Sequence, residues 1–232
     1  MMEEKTLSLR VIAHAHTDFA EKFGIPRQSG LAKTLSRIVF TPSYRNPDAL
    51  RGIEGFSHLW LIWHFSGNTP DAVFRPTVRP PRLGGNRAEG VFATRSPFRP
   101  NPIGLSSVRL LGTEQTEHDG IVLLVEGADL LDGTPIFDIK PYLPFTDSHP
   151  DALGGFADRT YGAKLSVDFP DTLLSLIPTA KRGSLFAVLS EDPRPAYQND
   201  PERIYGFLFA GYEIRFRVEE TRLFVVDVTK KD

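Results

Sequence analysis

The sequence predicts a mainly β protein: a β-barrel or strongly curved sheet over about residues 1–148, then a smaller α+β part over 149–232. Three observations carry this. Short apolar segments with period-two alternation recur along the first part. Glycine- and proline-rich loops separate them, with little helix between, which is the texture of a barrel or a closely curved sheet. After Asp147–Gly155 (DSHPDALGG), which reads as a linker or exposed loop, helical segments precede the strands.

In chain order, Leu7, Leu9, Val11 and Ala13 alternate with Ser8, Arg10, Ile12 and His14, an opening strand. Lys22–Leu31 (KFGIPRQSGL) is a loop punctuated by Gly24, Pro26 and Gly30. Ser36–Phe40 is a short strand. Asn46-Pro47 is an N-cap and N1 pair that starts a short helix ending near Gly52. His58–Phe65 is a buried strand with two tryptophans. Gly90–Thr94, Ser106–Leu111, Ile121–Glu126 and Thr134–Ile139 are further strands. Beyond the linker, Pro170–Ile177 and Gly183–Ser190 read as helices, and Tyr205–Ala210, Tyr212–Glu219 and Leu223–Thr229 as strands. In Tyr212–Glu219 the apolar residues Tyr212, Ile214, Phe216 and Val218 alternate with charged ones, the pattern of a half-buried strand.

Composition narrows the function classes. With 41% hydrophobic and 24% charged residues the chain is ordinary for a globular protein. Net charge is −2, so affinity for nucleic acid has to come from a local patch. There is no cysteine, which excludes disulfides, thiolate nucleophiles and cysteine-ligated metal, and is compatible with a cytoplasmic location. The acidic start MMEEKTLSLRV shows no signal-peptide pattern. The longest apolar run, Leu59–Phe65, is interrupted by His64 and too short to cross a bilayer, so no membrane role is expected.

Among sites, G-x-G-x-x-G and G-x-x-x-x-G-K-[ST] are both absent, and Gly84–Gly85 precedes no helical pattern. A nucleotide-like cofactor would therefore need another kind of site. His14 and His16 share a strand face, but such a pair is more often packed or solvated, and no metal is expected. Ser96 in TRSPF lacks a nucleophile elbow. The dense feature is Val78–Leu105. From Arg79 to Arg109 stand six arginines (Arg79, Arg82, Arg87, Arg95, Arg99, Arg109), no lysine, one acid (Glu89) and five prolines. Forked guanidinium groups on a stiffened backbone suit recognition of phosphate or carboxylate. Arg95 is placed at the end of the Gly90–Thr94 strand, and Phe98 either packs under a base or anchors its loop. A second dense segment, Asp129–Asp147, holds Asp138, Lys140, Tyr142 and Asp147 among prolines and aromatics. It reads either as a strand with a capped turn or as a pocket wall.

KFGIPRQSGL at 22–31, RGIEGFSHLWLIW at 51–63, RPTVRPPRLGGNRAEGVFATRSPFRPNPIGLS at 75–106 and DGTPIFDIKPYLPFTD at 132–147 resemble the TsaA/TrmO family, in the family's order. DPRPAYQ at 192–198 resembles its extended bacterial members. The resemblance implies a small, non-Rossmann β-barrel core and an S-adenosylmethionine-dependent tRNA methyltransferase. It implies methylation of N6 of threonylcarbamoyladenosine, adjacent to the anticodon at position 37 of threonine tRNA. It also implies a homodimer with the cofactor near the subunit interface. Carried over by motif, the cofactor residues are Pro26, Arg27 and Gln28, then His64, Phe65 and Ser66, then Arg95, Leu105, and Asp132, Gly133, Thr134 and Pro135. Ser29 stands where members of the family often have proline, and PRQ itself is intact.

The cofactor carries an activated methyl, so the protein mainly has to position the nucleophile. An N6 attached to a carbonyl is a poor nucleophile until its proton leaves. Asp138, Tyr142 or His64 could take that proton, with Asp138 favoured because it follows the DGTP turn. Arg95 or Arg27 could hold the cofactor carboxylate. Arg215 and Arg217 either contact tRNA phosphates or form an ordinary solvated strand face. The rival readings are a non-catalytic RNA-binding module and a small-molecule methyltransferase using the same cofactor site.

Overall fold

The structure, a computed structural model, describes residues 6–68, 73–80, 87–160, 164–194 and 200–231. Arg82, Gly84–Gly85 and 195–198 of DPRPAYQ lie outside the described residues.

The strands of the first part are β1 (Ala13–His16), β2 (Leu35–Phe40), β3 (His58–His64), β4 (Thr77–Val78), β5 (Glu89–Gly90), β6 (Ile103–Thr116), β7 (Gly120–Glu126) and β8 (Thr134–Pro141). Six of them pair antiparallel in the order β1-β2-β7-β6-β3-β8, and β8 returns to β1, so the sheet closes on itself. Period-two alternation sends Leu59, Leu61 and Trp63 of β3, Val108 of β6, Leu123 and Val125 of β7 and Ile136 of β8 inward. β3 reads as a continuous apolar run because its outer face is covered as well. Tyr142 packs on Trp60 with ring centroids 5.6 Å apart, and Trp60 Nε1 donates to Asp147 Oδ2 at 2.9 Å.

Two expectations are corrected here. The opening strand is not at 7–13 but at Ala13–His16, in the same alternating phase. Leu7 is 76% exposed, whereas Ala13 and Ala15 are fully buried opposite Phe40 and Ile38. Small side chains suit the close pairing of β1 with both β2 and β8. Gly90–Thr94 is not a strand but a turn of 3-10 helix at Val91–Ala93. The Thr94 hydroxyl and N–H both return to the Val91 carbonyl, at 2.9 and 3.2 Å, and this curls the chain. Asn46 does cap as its sequence suggests, its side chain accepting from Asp48 N at 3.0 Å. The element it opens is a single 3-10 turn, Pro47–Leu50.

The helices are α1 (Pro144–Asp147), α2 (Phe156–Thr160), α3 (Asp171–Leu174) and α4 (Thr179–Ser190). They accompany β9 (Ser166–Asp168), β10 (Tyr205–Phe209), β11 (Tyr212–Glu219) and β12 (Arg222–Lys230), in a second sheet of order β10-β11-β12-β9. β9, too short for an alternation to show in sequence, pairs parallel to β12. Leu185, Val188 and Leu189 of α4 pack with Phe207, Phe209, Ile214, Phe216 and Leu223. No helix among the described residues is long and apolar enough to cross a membrane.

This second core also takes Phe19 and Ala32 from the β1–β2 loop, with Phe23 and Ile25 packed against it. Gly24 makes the contact possible. Its φ is +94°, and a Cβ there would run into the Phe207 ring. Polar ties reinforce it: Asp18 with Lys181 at 2.6 Å, Leu208 N to Glu21 Oε1 at 2.8 Å, and Arg27 Nη2 to the Arg194 carbonyl at 2.7 Å. The loop between two barrel strands is thus built into the core of the C-terminal part.

Candidate active site

A cavity of about 490 Å³ opens where the end of β3, the start of β6 and the β1–β2 loop meet. That volume suits a small organic ligand. It is lined by Pro26, Arg27 and Gln28 from the anchored loop, by His64 at the end of β3 with Phe65 and Ser66 just after it, and by Arg95, Leu105 and Thr134. Nine residues singled out in the sequence are therefore brought together from five separate places. Arg95 Nη1 donates to Gln28 Oε1 at 2.6 Å, joining the arginine–proline segment to the PRQ loop.

The remaining residues of the DGTP turn stand behind Thr134. Asp132 accepts from Thr17 N at 2.9 Å and lies 3.5 Å from His16 Nδ1. Gly133 takes φ +76°, and Pro135 pairs with His14 in the β1–β8 ladder. Asp132 and Gly133 shape the turn, and Thr134 alone of the four reaches the cavity lining.

Asp138 and Tyr142 are not brought to the cavity. Asp138 Oδ2 pairs with Lys140 Nζ at 2.9 Å, and its Oδ1 accepts from Ile139 N. Tyr142 lies against Trp60 and His58. Of the three groups offered by the sequence as bases, His64 alone lines the cavity, its ring 5.9 Å from Phe137.

Sequence reasoning passed over Trp63, Ser106 and Asp129, which form a hydrogen-bonded chain at the cavity. Trp63 Nε1 donates to Ser106 Oγ at 3.0 Å, and Ser106 Oγ donates to Asp129 Oδ1 at 3.0 Å. Ser106 is buried and Asp129 partly so. Burial raises the Asp129 carboxyl to about 6, against its backbone hydrogen bond, the Ser106 hydroxyl and the Arg95 charge, which all favour the ionised form. Gly104 lets the chain of contacts form, since a Cβ there would overlap the Trp63 indole. The signal was present in the sequence: in IGLSSV, Ser106 falls on the inward phase of β6, between Gly104 and Val108.

The donor set fits S-adenosylmethionine. Arg27 and Arg95 offer guanidinium groups to a carboxylate, Trp63, Phe65, Leu130 and Ile25 offer apolar walls, and a carboxylate stands where a cation or an acidic proton can be met.

The chain matches the family model described as the tRNA-methyltransferase O N-terminal domain over residues 14–148, and the TrmO C-terminal domain over 162–231. It is 45% identical over 212 residues to a tRNA (adenine(37)-N6)-methyltransferase of Escherichia coli K12, covering 87% of this chain and 89% of that one. It is 39% identical to a Pseudomonas aeruginosa protein whose name describes an S-adenosylmethionine-dependent methyltransferase, across 98% of this chain and the whole of the other. A crystal structure of TrmO from P. aeruginosa superposes with a TM-score of 0.76 at 31% identity, over 97% of this chain and all of that one. The chain therefore belongs to the tRNA-methyltransferase O family, in both its N-terminal and its C-terminal part.

Proposed function

We propose that this chain is an S-adenosylmethionine-dependent tRNA methyltransferase acting on N6 of the adenosine at position 37. In its finer form, the substrate is threonylcarbamoyladenosine of threonine tRNA and the enzyme is cytoplasmic. The observation that carries the proposal is the joining of Pro26–Gln28, Arg95 and Thr134 around one small-molecule cavity, in a chain of this family.

The division of labour follows from the lining. Arg27 and Arg95 hold the cofactor carboxylate, and Pro26 and Gln28 fix the loop that carries Arg27. His64, Phe65, Ser66, Leu105 and Thr134, with the turn at Asp132, Gly133 and Pro135 behind it, shape the walls. When bound, the cofactor supplies a methyl already activated on a sulfonium. The protein contributes orientation: reacting atoms held in line convert a bimolecular encounter into an effectively unimolecular step. The remaining arginines of the arginine–proline segment, Arg79, Arg82, Arg87 and Arg99, supply charge for tRNA phosphates or for the subunit interface.

The reading includes a homodimer. Leu105 at the cavity is 51% exposed, and Phe92 and Phe98 nearby in sequence are also exposed, an apolar display that a second copy would cover. It also treats 1–148 as the methyltransferase domain and 149–232 as an accessory α+β domain that braces the PRQ loop. Mass spectrometry of nucleosides from tRNA incubated with protein and S-adenosylmethionine tests the proposal. A gain of one methyl on threonylcarbamoyladenosine is expected. A methylated small molecule with unmodified tRNA would transfer the reading to a small-molecule methyltransferase.

A further inference from the structure

We propose that Asp129 is the general base of this site, the carboxylate that takes the N6 proton from the target adenosine, and that Ser106 and Trp63 are its positioning residues. The proposal rests on the methyltransferase reading above and names a group which the sequence motifs did not.

Among the described residues, Asp129 is the one carboxylate that lines the cavity. The other charged or titratable groups facing the cavity are Lys22 and Arg27 from the β1–β2 loop, His64 from β3, and Arg95 and Arg99 from the arginine–proline segment. Two of these cations are committed locally: Lys22 Nζ donates to Asn68 Oδ1 at 2.7 Å, and Arg99 Nη1 to the Thr94 carbonyl at 3.3 Å. The relay behind Asp129 has only one possible direction. An indole nitrogen donates and cannot accept, so the Ser106 hydroxyl accepts from Trp63 and must turn its own hydrogen to Asp129. That arrangement satisfies an ionised carboxylate and holds it in place from two strands, β3 and β6. Burial raises its proton affinity to about 6, while a backbone hydrogen bond, the Ser106 hydroxyl and the Arg95 charge favour the ionised form, so the carboxylate is charged at neutral pH. A carboxylate so placed is a better base than an exposed one and is still ionised when the enzyme works.

In the step, the N6–H bond breaks and its proton passes to Asp129. The N6–CH3 bond forms as the sulfur–methyl bond breaks, and that electron pair remains on sulfur, leaving a neutral thioether. Asp129 then releases the proton to solvent, and no redox partner is needed.

The test uses the full chain with S-adenosylmethionine and its tRNA, comparing wild type with Asp129→Asn and Ser106→Ala. For Asp129→Asn, kcat is expected to fall by at least about 100-fold, with cofactor affinity by calorimetry close to wild type. The wild-type rate should rise with pH through a midpoint near 6. Ser106→Ala removes a hydrogen bond that favours the ionised form, so it should move that midpoint upward. In the unliganded protein, 13C NMR should show a carboxyl that titrates near 6 and is missing from Asp129→Asn. Near-normal turnover by Asp129→Asn overturns the proposal. So does a loss of affinity for S-adenosylmethionine with S-adenosylhomocysteine unaffected, which would make Asp129 the counter-ion of the sulfonium. If Asp129→Asn does not fold, Ser106→Ala decides: an unchanged midpoint overturns the assignment. A wild-type protein that methylates no tRNA removes the underlying reading, and the proposal with it. A wild type that methylates while Asp129→Asn matches it removes the proposal alone.

Discussion

Arg95 and Gln28 lie 67 positions apart and meet at 2.6 Å, so one guanidinium both lines the cavity and holds the PRQ loop against it. Hydrogen bonds to a charged group are worth about 1.5–3 kcal/mol. Arg95→Ala should therefore weaken S-adenosylmethionine binding about 10- to 100-fold in a calorimetric titration, and an unchanged affinity would remove Arg95 from the cofactor site. Asp129 carries a stability prediction of its own. Its native carboxyl is raised from 3.8 to about 6, so ionisation penalises the folded state. The penalty is absent below the unfolded value, grows as pH rises from about 4 to 6, and is complete above that. A rise of this size corresponds to on the order of 2–3 kcal/mol. Asp129→Asn should thus be more resistant to urea than wild type at pH 7.5, and no more resistant at pH 4. Equal midpoints at both pH values would contradict the raised carboxyl.

The residues that the sequence pointed to were those in the motifs that carry the family resemblance: Pro26-Arg27-Gln28, Arg95 and the DGTP turn. Ser106 and Asp129 do not stand out, because one looks like any strand serine and the other like any turn aspartate. Their meaning depends on a packing fact, the Trp63 indole lying over Gly104. Elements show the same division. β11 was readable from alternation, since one of its faces is buried, and β3 from an unbroken apolar run covered on both faces. β1 was displaced because Leu7 and Leu9 continue its alternation into a segment that pairs with no strand among the described residues. Val91–Ala93 was misread because its curl depends on the Thr94 side chain and not on periodicity. The β1–β2 loop is the element on which the cavity depends most. Gly24→Ala has to accommodate both a φ of +94° and the Phe207 ring. It should cost about 2 kcal/mol or more in urea unfolding, and should weaken cofactor binding through the displaced PRQ loop. A Gly24→Ala protein of unchanged stability would show that the loop is not wedged against β10.

For the whole molecule, a net charge of −2 means that tRNA affinity depends on where the arginines sit, not on how many there are. Binding should still fall steeply between low and moderate salt, because each arginine–phosphate contact releases a counter-ion. A filter-binding assay with no salt dependence would argue against phosphate contacts. The C-terminal sheet has a role in this chain even before any contact with RNA. Phe19, Phe23 and Ile25 need its core, and Arg27 needs the Arg194 carbonyl. Truncation after Asp151 should therefore reduce cofactor affinity by at least about tenfold, although every barrel strand is retained. Full affinity in the truncated chain would make the two parts independent.

The shared loop also sets a timetable. During synthesis, all six barrel strands have been made once Pro141 is added, but Phe207 and Phe209, on which Phe19 and Phe23 pack, come nearly seventy residues later. At about 5–20 residues per second, that is an interval of about 3–14 s. Throughout it, a growing chain can carry a paired barrel with the aromatic side of its first long loop bare. The nascent protein is most open to chaperones, and to mispairing with a neighbouring ribosome's product, in those seconds. The cofactor cannot shorten the interval, because the loop that would receive it is the last part to be set in place.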